Sequence, residues 1–538
     1  MKKSNFLNGA IIATIGIVVC KIIGLLYVIP FYAMIGTSGG ALYSYAYSIY
    51  AIFLSLSTSG IPVAMSKLVS EYNALEYYNT KERIYKIGST IIISFGIISF
   101  IVIMFFAEDI ALFLKGGVTD GTSIESIAAA IRVISTALLV VPSLSVTKGY
   151  LQGHKVIKAP ATANIIEQLA RVAVLLIGSF LALKVFELDV ETAVQIAVFA
   201  ATVGAVVSYG YLVFKIKRSK KDLNKFEEPT KKEMKITTKE LVKKIIIYAV
   251  PFVLIDLVNS AYVIVNSSTI ISTLTKLGYN SHDAEIVLSS VSTWATKLDM
   301  IVISVAIGFV TSLIPHITSS YVKKEMDVVN KKINQAIEML ILIVLPMSIG
   351  LSFLASPIWT IFYGYNALSI SVFKLFAFQA LTYSLHWLLI NVLQALNKSK
   401  VTLMVLFGGL AFKILFNNII MEFLPTIGID AHQGATLTTL LVQLTVIIFI
   451  IGYLKHKFKI DFSESRKSVG KIIISAVMMT LTLFIVSNFI KLDTDSRTIA
   501  LMNTVIYATI GAIVYLLSAY KLGLLNKFIR LLKSKKAW

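Results

Sequence analysis

The feature that most restricts the fold of this chain is a succession of long apolar stretches. We count about fourteen of them, each long enough to cross a bilayer as a helix. They cover 7–35, 41–66, 85–107, 124–150, 159–183, 190–214, 245–273, 286–320, 333–356, 368–396, 401–422, 431–454, 470–490 and 497–520. Only 15% of the 538 residues are charged, against about 25% in an ordinary soluble domain. The sequence therefore predicts an all-α integral membrane protein.

Lysine and arginine are concentrated in alternate connections between these stretches. With the N-terminus inside, the predicted outer loops hold only five of them, Lys115, Lys184, Lys276, Lys491 and Arg497. Loops on the cytoplasmic side of membrane proteins carry such an excess of positive charge. We therefore expect both termini in the cytoplasm. The net charge of +21 belongs to these loops and comes without a nucleic-acid-binding motif, so we expect no nucleic-acid partner.

One long polar connection, 215–244, divides the chain. It separates an N-lobe of helices 1–6 (1–214) from a C-lobe of helices 7–12 (245–454), which is followed by helices 13–14 and a basic cytoplasmic tail (455–538). The connection is either a linker lying near anionic headgroups or a solvated spacer. Short matches between the lobes, such as Gly60-Ile61-Pro62 with Leu313-Ile314-Pro315, predict two parallel six-helix repeats. Facing repeats are the framework of an alternating-access transporter.

Six cations fall inside predicted helices. Lys374 is so near the outer end of helix 10 that its side chain can reach the surface, and the other five are Lys21, Arg132, Arg171, Lys297 and Lys413. A charge at the centre of a membrane helix costs a few kcal/mol, about 3 on insertion scales, so each needs a partner, a water-filled cavity or a function. An excess of cations facing a polar cavity indicates an anionic ligand.

Two acidic residues accompany these cations. Glu167 lies one turn before Arg171, so the two either line a ligand site or satisfy each other. Asp256 falls at the repeat position equivalent to Lys21, which predicts either charges that part when a ligand enters or a static buried ion pair.

Polar side chains also follow two adjoining faces of helix 2, tyrosines on one and serines on the other, and Tyr47 and Ser44 are candidates for a cavity wall that binds a hydroxyl-rich ligand. The alternative is hydrogen bonding and close packing between helices. The chain has one cysteine, Cys20, and neither a phosphate-binding G-x-x-x-x-G-K-[ST] loop nor an H-E-x-x-H motif. We expect a transporter rather than an enzyme, without a metal ion or other cofactor.

Several stretches resemble a known superfamily. They are Lys21-Ile22-Ile23-Gly24, Tyr27-Val28-Ile29-Pro30, Gly60-Ile61-Pro62, Lys148-Gly149-Tyr150-Leu151-Gln152-Gly153-His154, Glu167-Gln168 with Arg171, Lys297-Leu298, and Lys413 with Asn417. On these the chain resembles the multidrug/oligosaccharidyl-lipid/polysaccharide exporter superfamily over nearly its full length. Within it, the similarity is to the MurJ-type lipid II flippases and their stage V sporulation protein B relatives.

The resemblance implies a V-shaped pair of lobes around a cationic cavity and a hydrophobic groove lined by the last two helices. It also implies that a monomer in a bacterial plasma membrane moves an undecaprenyl-pyrophosphate-linked sugar from the inner to the outer leaflet. The membrane potential or an ion gradient would drive this step. Family cations fall on Lys21 and Lys297, and some members bind sodium between helices 7, 11 and 12, where this chain has Lys413.

The predicted substrate-binding residues are Lys21, Ser44, Tyr47, Arg132, Glu167, Arg171, Asp256, Lys297, Lys413 and Asn417. A flippase for another polyprenyl-linked glycan, such as a teichoic-acid or capsule unit, fits the same residues. A multidrug antiporter would need acidic cavity residues, and a membrane glycosyltransferase would need paired acids at one face.

Overall fold

The computed structural model describes residues 20–58, 60–154, 156, 158–223, 236–490, 492, 494 and 496–525. Within these residues every regular secondary-structure element is a helix. The first nine helices are α1 (Cys20–Leu26), α2 (Val28–Thr58), α3 (Gly60–Ala74), α4 (Tyr78–Leu114), α5 (Ile124–Ser135), α6 (Val141–Gly153), α7 (Lys158–Phe180), α8 (Val190–Leu223) and α9 (Thr238–Lys276). The others are α10 (Ser281–Ser289), α11 (Ala295–Val322), α12 (Met326–Phe353), α13 (Ala355–Tyr363), α14 (Ala367–Phe376), α15 (Gln379–Ala395), α16 (Ser399–Phe423), α17 (Gly434–Phe458), α18 (Ser463–Ser487) and α19 (Arg497–Lys521).

Twelve segments within the described ranges, from Tyr78–Leu114 to Arg497–Lys521, are long and apolar enough to cross a bilayer, and they coincide with predicted helices 3–14. Predicted helix 1 lies partly outside the described residues, at 7–19. Its remainder is bent by 43° between α1 and α2, at Tyr27. Gly36, with a φ of 64°, interrupts α2 where one predicted helix ends and the next begins. The all-α membrane fold is confirmed.

The chain divides into two compact units, Met1–Ser268 and Thr269–Trp538. The division falls inside α9, within predicted helix 7, whereas the sequence places the lobe boundary in the polar connection 215–244. Helices enter this connection from both sides, since α8 continues to Leu223 and α9 begins at Thr238. Basic residues at the end of α8 favour this extension because the C-terminus of a helix carries partial negative charge.

Close packing in the first unit depends on two glycines of the Lys148–His154 stretch. A Cβ atom on Gly149 would lie 2.5 Å from the carbonyl oxygen of Pro62, and one on Gly153 would lie 2.7 Å from Cβ of Val69. The backbones of α3 and α6 therefore approach closely, as small residues allow between membrane helices.

The variant Gly149→Leu is expected to unfold at a temperature several degrees below that of the native protein. Its side chain would push α3 from α6, and overpacking of this kind costs about 1–3 kcal/mol. The matched control is Gly210→Leu in α8, because nothing lies within 4 Å of a Cβ atom there. The melting temperatures of both variants are measured by thermal unfolding in detergent, and equal values would contradict the packing account.

The motif ends in a buried aromatic cluster. Tyr150 donates a 2.6 Å hydrogen bond to Glu82, and its ring lies 4.6 Å from that of His154. Burial, with a smaller contribution from Lys81, lowers the pKa of His154 to about 4. His154 is therefore neutral at physiological pH.

Polar contacts tie the last two helices to α12 in the second unit. The Asn334 amide donates to the Asp461 carbonyl at 2.8 Å, and Ser465 donates to the side-chain oxygen of Asn334. Further along α12, the Tyr515 hydroxyl donates to the Leu342 carbonyl at 2.6 Å. These bonds fix the terminal helix pair against α12 and so define the walls of the cavity described below.

Candidate functional site

Arg171 lies in a cluster of tyrosines in the first unit. Its guanidinium is 5.9 Å from the ring centroid of Tyr47, which stacks on Tyr43 at 5.6 Å and meets Tyr50 edge-on at 5.8 Å. Arg171 is half-buried, and among the described residues it makes neither an ion pair nor a hydrogen bond. The cation–π contact stabilises the charge while the five N–H donors are left for a ligand.

Glu167, one turn before Arg171, is neutralised from another helix. Its carboxylate lies 2.8 Å from the ammonium of Lys148, and the two side chains are 30% and 19% exposed. The suggested mutual pairing of Glu167 and Arg171 therefore differs from the arrangement in the structure. Sequence reasoning missed Lys148 as this partner, although it opens the Lys148–His154 stretch. Because Lys148 binds Glu167, no described acidic residue pairs with Arg171.

The helix that carries Lys21 lies against this part of α7. A Cβ atom on Gly24 would be 3.3 Å from the side-chain nitrogen, Nε2, of Gln168, the residue after Glu167. Lys21 precedes Gly24 by three residues and thus shares its face of α1. Lys21 is half-buried. A second cation is therefore held on a helix that packs beside Arg171.

The first unit holds three other predicted residues. Arg132 binds Glu108 at 2.9 Å, with the two side chains 36% and 63% exposed, so a carboxylate on the adjacent α4 already neutralises it. Ser44 is buried and donates to the Gly40 carbonyl at 2.9 Å. A serine in a helix readily forms this bond to the preceding turn, and its hydroxyl then no longer faces a ligand. Asp256 is half-buried on α9.

Lys413 and Asn417 occupy an enclosed pocket in the second unit. The Lys413 side chain is fully buried, and its ammonium donates to the Ala435 carbonyl at 2.7 Å and to the Thr439 hydroxyl at 2.8 Å. Asn417 donates to the Thr269 hydroxyl at 2.7 Å. The ammonium is thus surrounded by carbonyl and hydroxyl oxygens, the same ligand types that coordinate hard metal cations. Since burial encloses both side chains completely, they hold α16, α17 and α9 together rather than facing an anionic ligand.

Replacing Lys413 by methionine is expected to leave transport unchanged. Methionine keeps most of the side-chain volume, and exchange of a buried charge for an apolar group is often neutral or stabilising. Lys413→Ala should instead lower the melting temperature, because it leaves a cavity that costs about 2–5 kcal/mol. Transport and melting temperature are measured side by side, in sodium and in sodium-free buffer. Loss of transport by a stable Lys413→Met protein would show that this charge takes part directly.

Lys297 is positioned by an aromatic ring in the second unit. A π-helical turn, Ser290–Trp294, comes just before it, and its ammonium lies 5.4 Å from the ring centroid of Trp294. The fully buried Trp294 is held in turn by Tyr363, whose hydroxyl donates to the Trp294 carbonyl at 2.8 Å. Turns of π-helix are frequent at functional sites. Lys297 itself is half-buried.

An apolar cavity of about 520 Å³ is lined by Ile301 of α11, one helical turn after this lysine. Its walls come from α11, α12, α13, α18 and α19 and include Ile301, Pro346, Met479, Ala508 and Ala512. Ile301 follows Lys297 by one helical turn and so shares its face of α11. The resemblance implies a hydrophobic groove along the last two helices, and the structure has an apolar cavity there. The second unit thus places a cation beside a space suited to a hydrocarbon chain.

The chain is similar to known membrane proteins. Residues 6–320 match the model of the family described as polysaccharide biosynthesis protein. The chain is 30% identical over 537 residues to the lipid II flippase MurJ of Bacillus subtilis (strain 168), with 98% of this chain and 97% of that protein covered.

Two solved structures share the fold. A lipid II flippase MurJ in an inward closed conformation has a TM-score of 0.67 at 17% identity and covers 95% of this chain and 98% of its own. An inward-facing multidrug resistance MATE family transporter of the MOP superfamily has a TM-score of 0.62 at 13% identity and covers 83% and 99%. The predicted membership of this superfamily is confirmed.

Proposed function

Because the chain belongs to the polysaccharide biosynthesis protein family, we propose that this multi-pass bacterial membrane protein is a flippase for a polyprenyl-diphosphate-linked sugar. Lipid II is the first candidate, since it is the cargo named for the Bacillus subtilis relative. The observation that carries the proposal is the position of Lys297, one turn from Ile301 at the wall of the apolar cavity. A ligand for this place is anionic at one end and hydrocarbon at the other.

The charges of the first unit support an anionic headgroup. Two acids of this unit are neutralised, Glu167 by Lys148 and Glu108 by Arg132, whereas Arg171 is unpaired among the described residues. A guanidinium binds a phosphate through two parallel hydrogen bonds. Within the first unit we assign phosphate binding to Lys21 and Arg171, and within the second unit we assign it to Lys297. Tyr47 offers a ring and a hydroxyl to the sugar.

The proposed cycle is alternating access with both termini in the cytoplasm, carried out by a monomer. The diphosphate enters from the cytoplasmic leaflet, and its tail stays in the apolar cavity and the bilayer. Moving two negative charges outward against an inside-negative potential gains roughly 2.3 kcal/mol per charge per 100 mV. The proposal therefore needs no ATP.

A second flippase activity, for a teichoic-acid or capsule precursor, stays open because such lipids share the diphosphate and the polyprenyl tail. A multidrug antiporter is disfavoured by the excess of cations, since cationic drugs require acidic groups. A glycosyltransferase would need a pair of accessible acids.

Complementation tests the proposal. A bacterial strain depleted of its lipid II flippase should grow when it expresses this chain, but not when it expresses Lys21→Ala or Lys297→Ala. Lys374→Ala is the matched control, because Lys374 is exposed at the end of α14. If the native chain inserts into the membrane and growth still fails, lipid II is not its cargo and the other-glycan activity takes its place.

A further inference from the structure

The interface between α11 and α15 encloses an acidic side chain that the proposed transport site does not use. Asp299 is 1% exposed, and neither of its carboxyl oxygens has a hydrogen-bond partner among the described residues. It also forms no ion pair within this part of the chain. Because Asp299 is buried within the span Ser281–Gly308, bulk water does not reach its carboxyl group in this structure.

The surroundings of Asp299 include the beginning of a broken helix. The span Ala367–Ala395 is interrupted after Phe376, and α15 begins at Gln379. Asp299 lies near the backbone amide of Ala380, in the first turn of α15. The first amides of a helix lack intrahelical partners and carry partial positive charge. Interrupted membrane helices of transporters use such ends to hold ions.

The carboxyl group of Asp299 can therefore be stabilised either as the neutral acid or as the ionised carboxylate, depending on the position of α15. Enclosed as it is here, an ionised carboxylate without a partner has a large free-energy cost, so the neutral acid is preferred. A small shift of α15 that aligns its first amides with the carboxylate, or that admits water, would favour the ionised form instead.

We propose that Asp299 is a proton-binding site in the second unit, and that its proton is released and rebound as this unit changes conformation. On release, the O–H bond of the carboxyl group breaks, the electron pair stays on the oxygen, and the proton passes to a water molecule. Proton binding stands on the geometry of Asp299 alone. The coupling of this proton to lipid movement rests on the proposed function.

Other titratable groups of the second unit lie on α11 and on three further helices, α12, α14 and α15. On α11 itself, Lys297 is two residues away and points to a different side of the helix. On α15, the buried His386 is six residues beyond Ala380, about 9 Å along the axis. On α12, Glu338 is 7% exposed, and on α14, Lys374 is exposed. None of these groups makes a hydrogen bond or ion pair with Asp299, so the proton is the charge-neutralising ligand.

Infrared spectroscopy of the full chain in lipid tests proton binding without any transport substrate. The native protein at neutral pH should show the C=O stretching band of a protonated carboxylic acid. Asp299→Asn should lose this band, because an amide cannot carry the proton, whereas Glu338→Gln, the matched variant of another buried acid, should keep it. An unchanged band in Asp299→Asn would overturn the assignment.

Proteoliposomes with a fluorescent polyprenyl-diphosphate-linked sugar test the coupling. A gradient of one pH unit should change the ratio of probe between the two leaflets by up to about tenfold per coupled proton in the native protein. Asp299→Asn should still equilibrate the probe but no longer respond to the gradient. A native protein that moves the probe without responding to the gradient would overturn the coupling. If it moves no probe at all, the proposed function fails, while the infrared band still decides whether Asp299 binds a proton.

Discussion

Replacing Arg171 by alanine is expected to abolish transport of a diphosphate-linked lipid while the protein stays folded. The guanidinium is unpaired among the described residues and lies over the Tyr47 ring, so its loss strands no acidic partner there. A hydrogen bond to a charged group is worth about 1.5–3 kcal/mol, so affinity for the headgroup should fall about 10- to 150-fold. Binding of a soluble sugar diphosphate to purified protein, together with the rate of lipid movement, measures this effect.

Two further variants distinguish the hydrogen bonding of the Arg171 guanidinium from the effect of its positive charge alone. Arg171→Lys should recover part of the affinity, because an ammonium keeps the charge but not the two parallel hydrogen bonds. Arg132→Ala is the matched control, since Arg132 is bound to Glu108 and more exposed, and it should bind the soluble diphosphate as the native protein does. The assignment is wrong if Arg171→Ala binds normally, or if Arg132→Ala is the variant that loses binding.

Filling the apolar cavity is expected to have a similarly large effect on long-tailed lipids. Ala508 and Ala512 lie on its α19 wall, so tryptophan at both positions would take up much of its volume of about 520 Å³. A displaced tail loses about 0.8 kcal/mol for each methylene group that is no longer buried. Movement of a polyprenyl-linked substrate should therefore stop, whereas binding of a soluble sugar diphosphate should persist.

The control for this double variant is Val505→Trp, on the same helix but outside the cavity wall, where the native side chain is 57% exposed. It adds a bulky aromatic group toward lipid and should leave movement intact. Equal rates for all three proteins would show that the cavity does not hold the tail.

The membrane helices were predictable from the sequence because their signal is local. A run of apolar residues must cross the bilayer whatever its neighbours are, and so predicted helices 3–14 coincide with the observed spans. The break between helices 1 and 2 also has a local cause, since Gly36 adopts a positive φ that other residues rarely take. The extension of α8 and α9 into the polar connection was missed, because hydropathy marks the end of the apolar run and not the end of the helix.

The candidate site was only partly predictable because it depends on which helices meet. Depth in the membrane selected Arg171 and Lys413 alike, yet tertiary contacts leave the first unpaired among the described residues and enclose the second with Ala435 and Thr439. Spacing suggested that Glu167 pairs along its own helix, whereas Lys148 reaches it from α6. Such partners are separated in sequence and follow no short pattern.

The most direct test of the proposed flippase activity is movement of lipid II by the purified full chain in vesicles. Fluorescently labelled lipid II is placed in both leaflets, and a membrane-impermeant reagent then quenches the label it can reach. With an active flippase, nearly all of the label should become quenched over time, and Arg171→Ala should behave like protein-free vesicles. A folded, inserted native protein that leaves the inner-leaflet fraction protected would contradict the account.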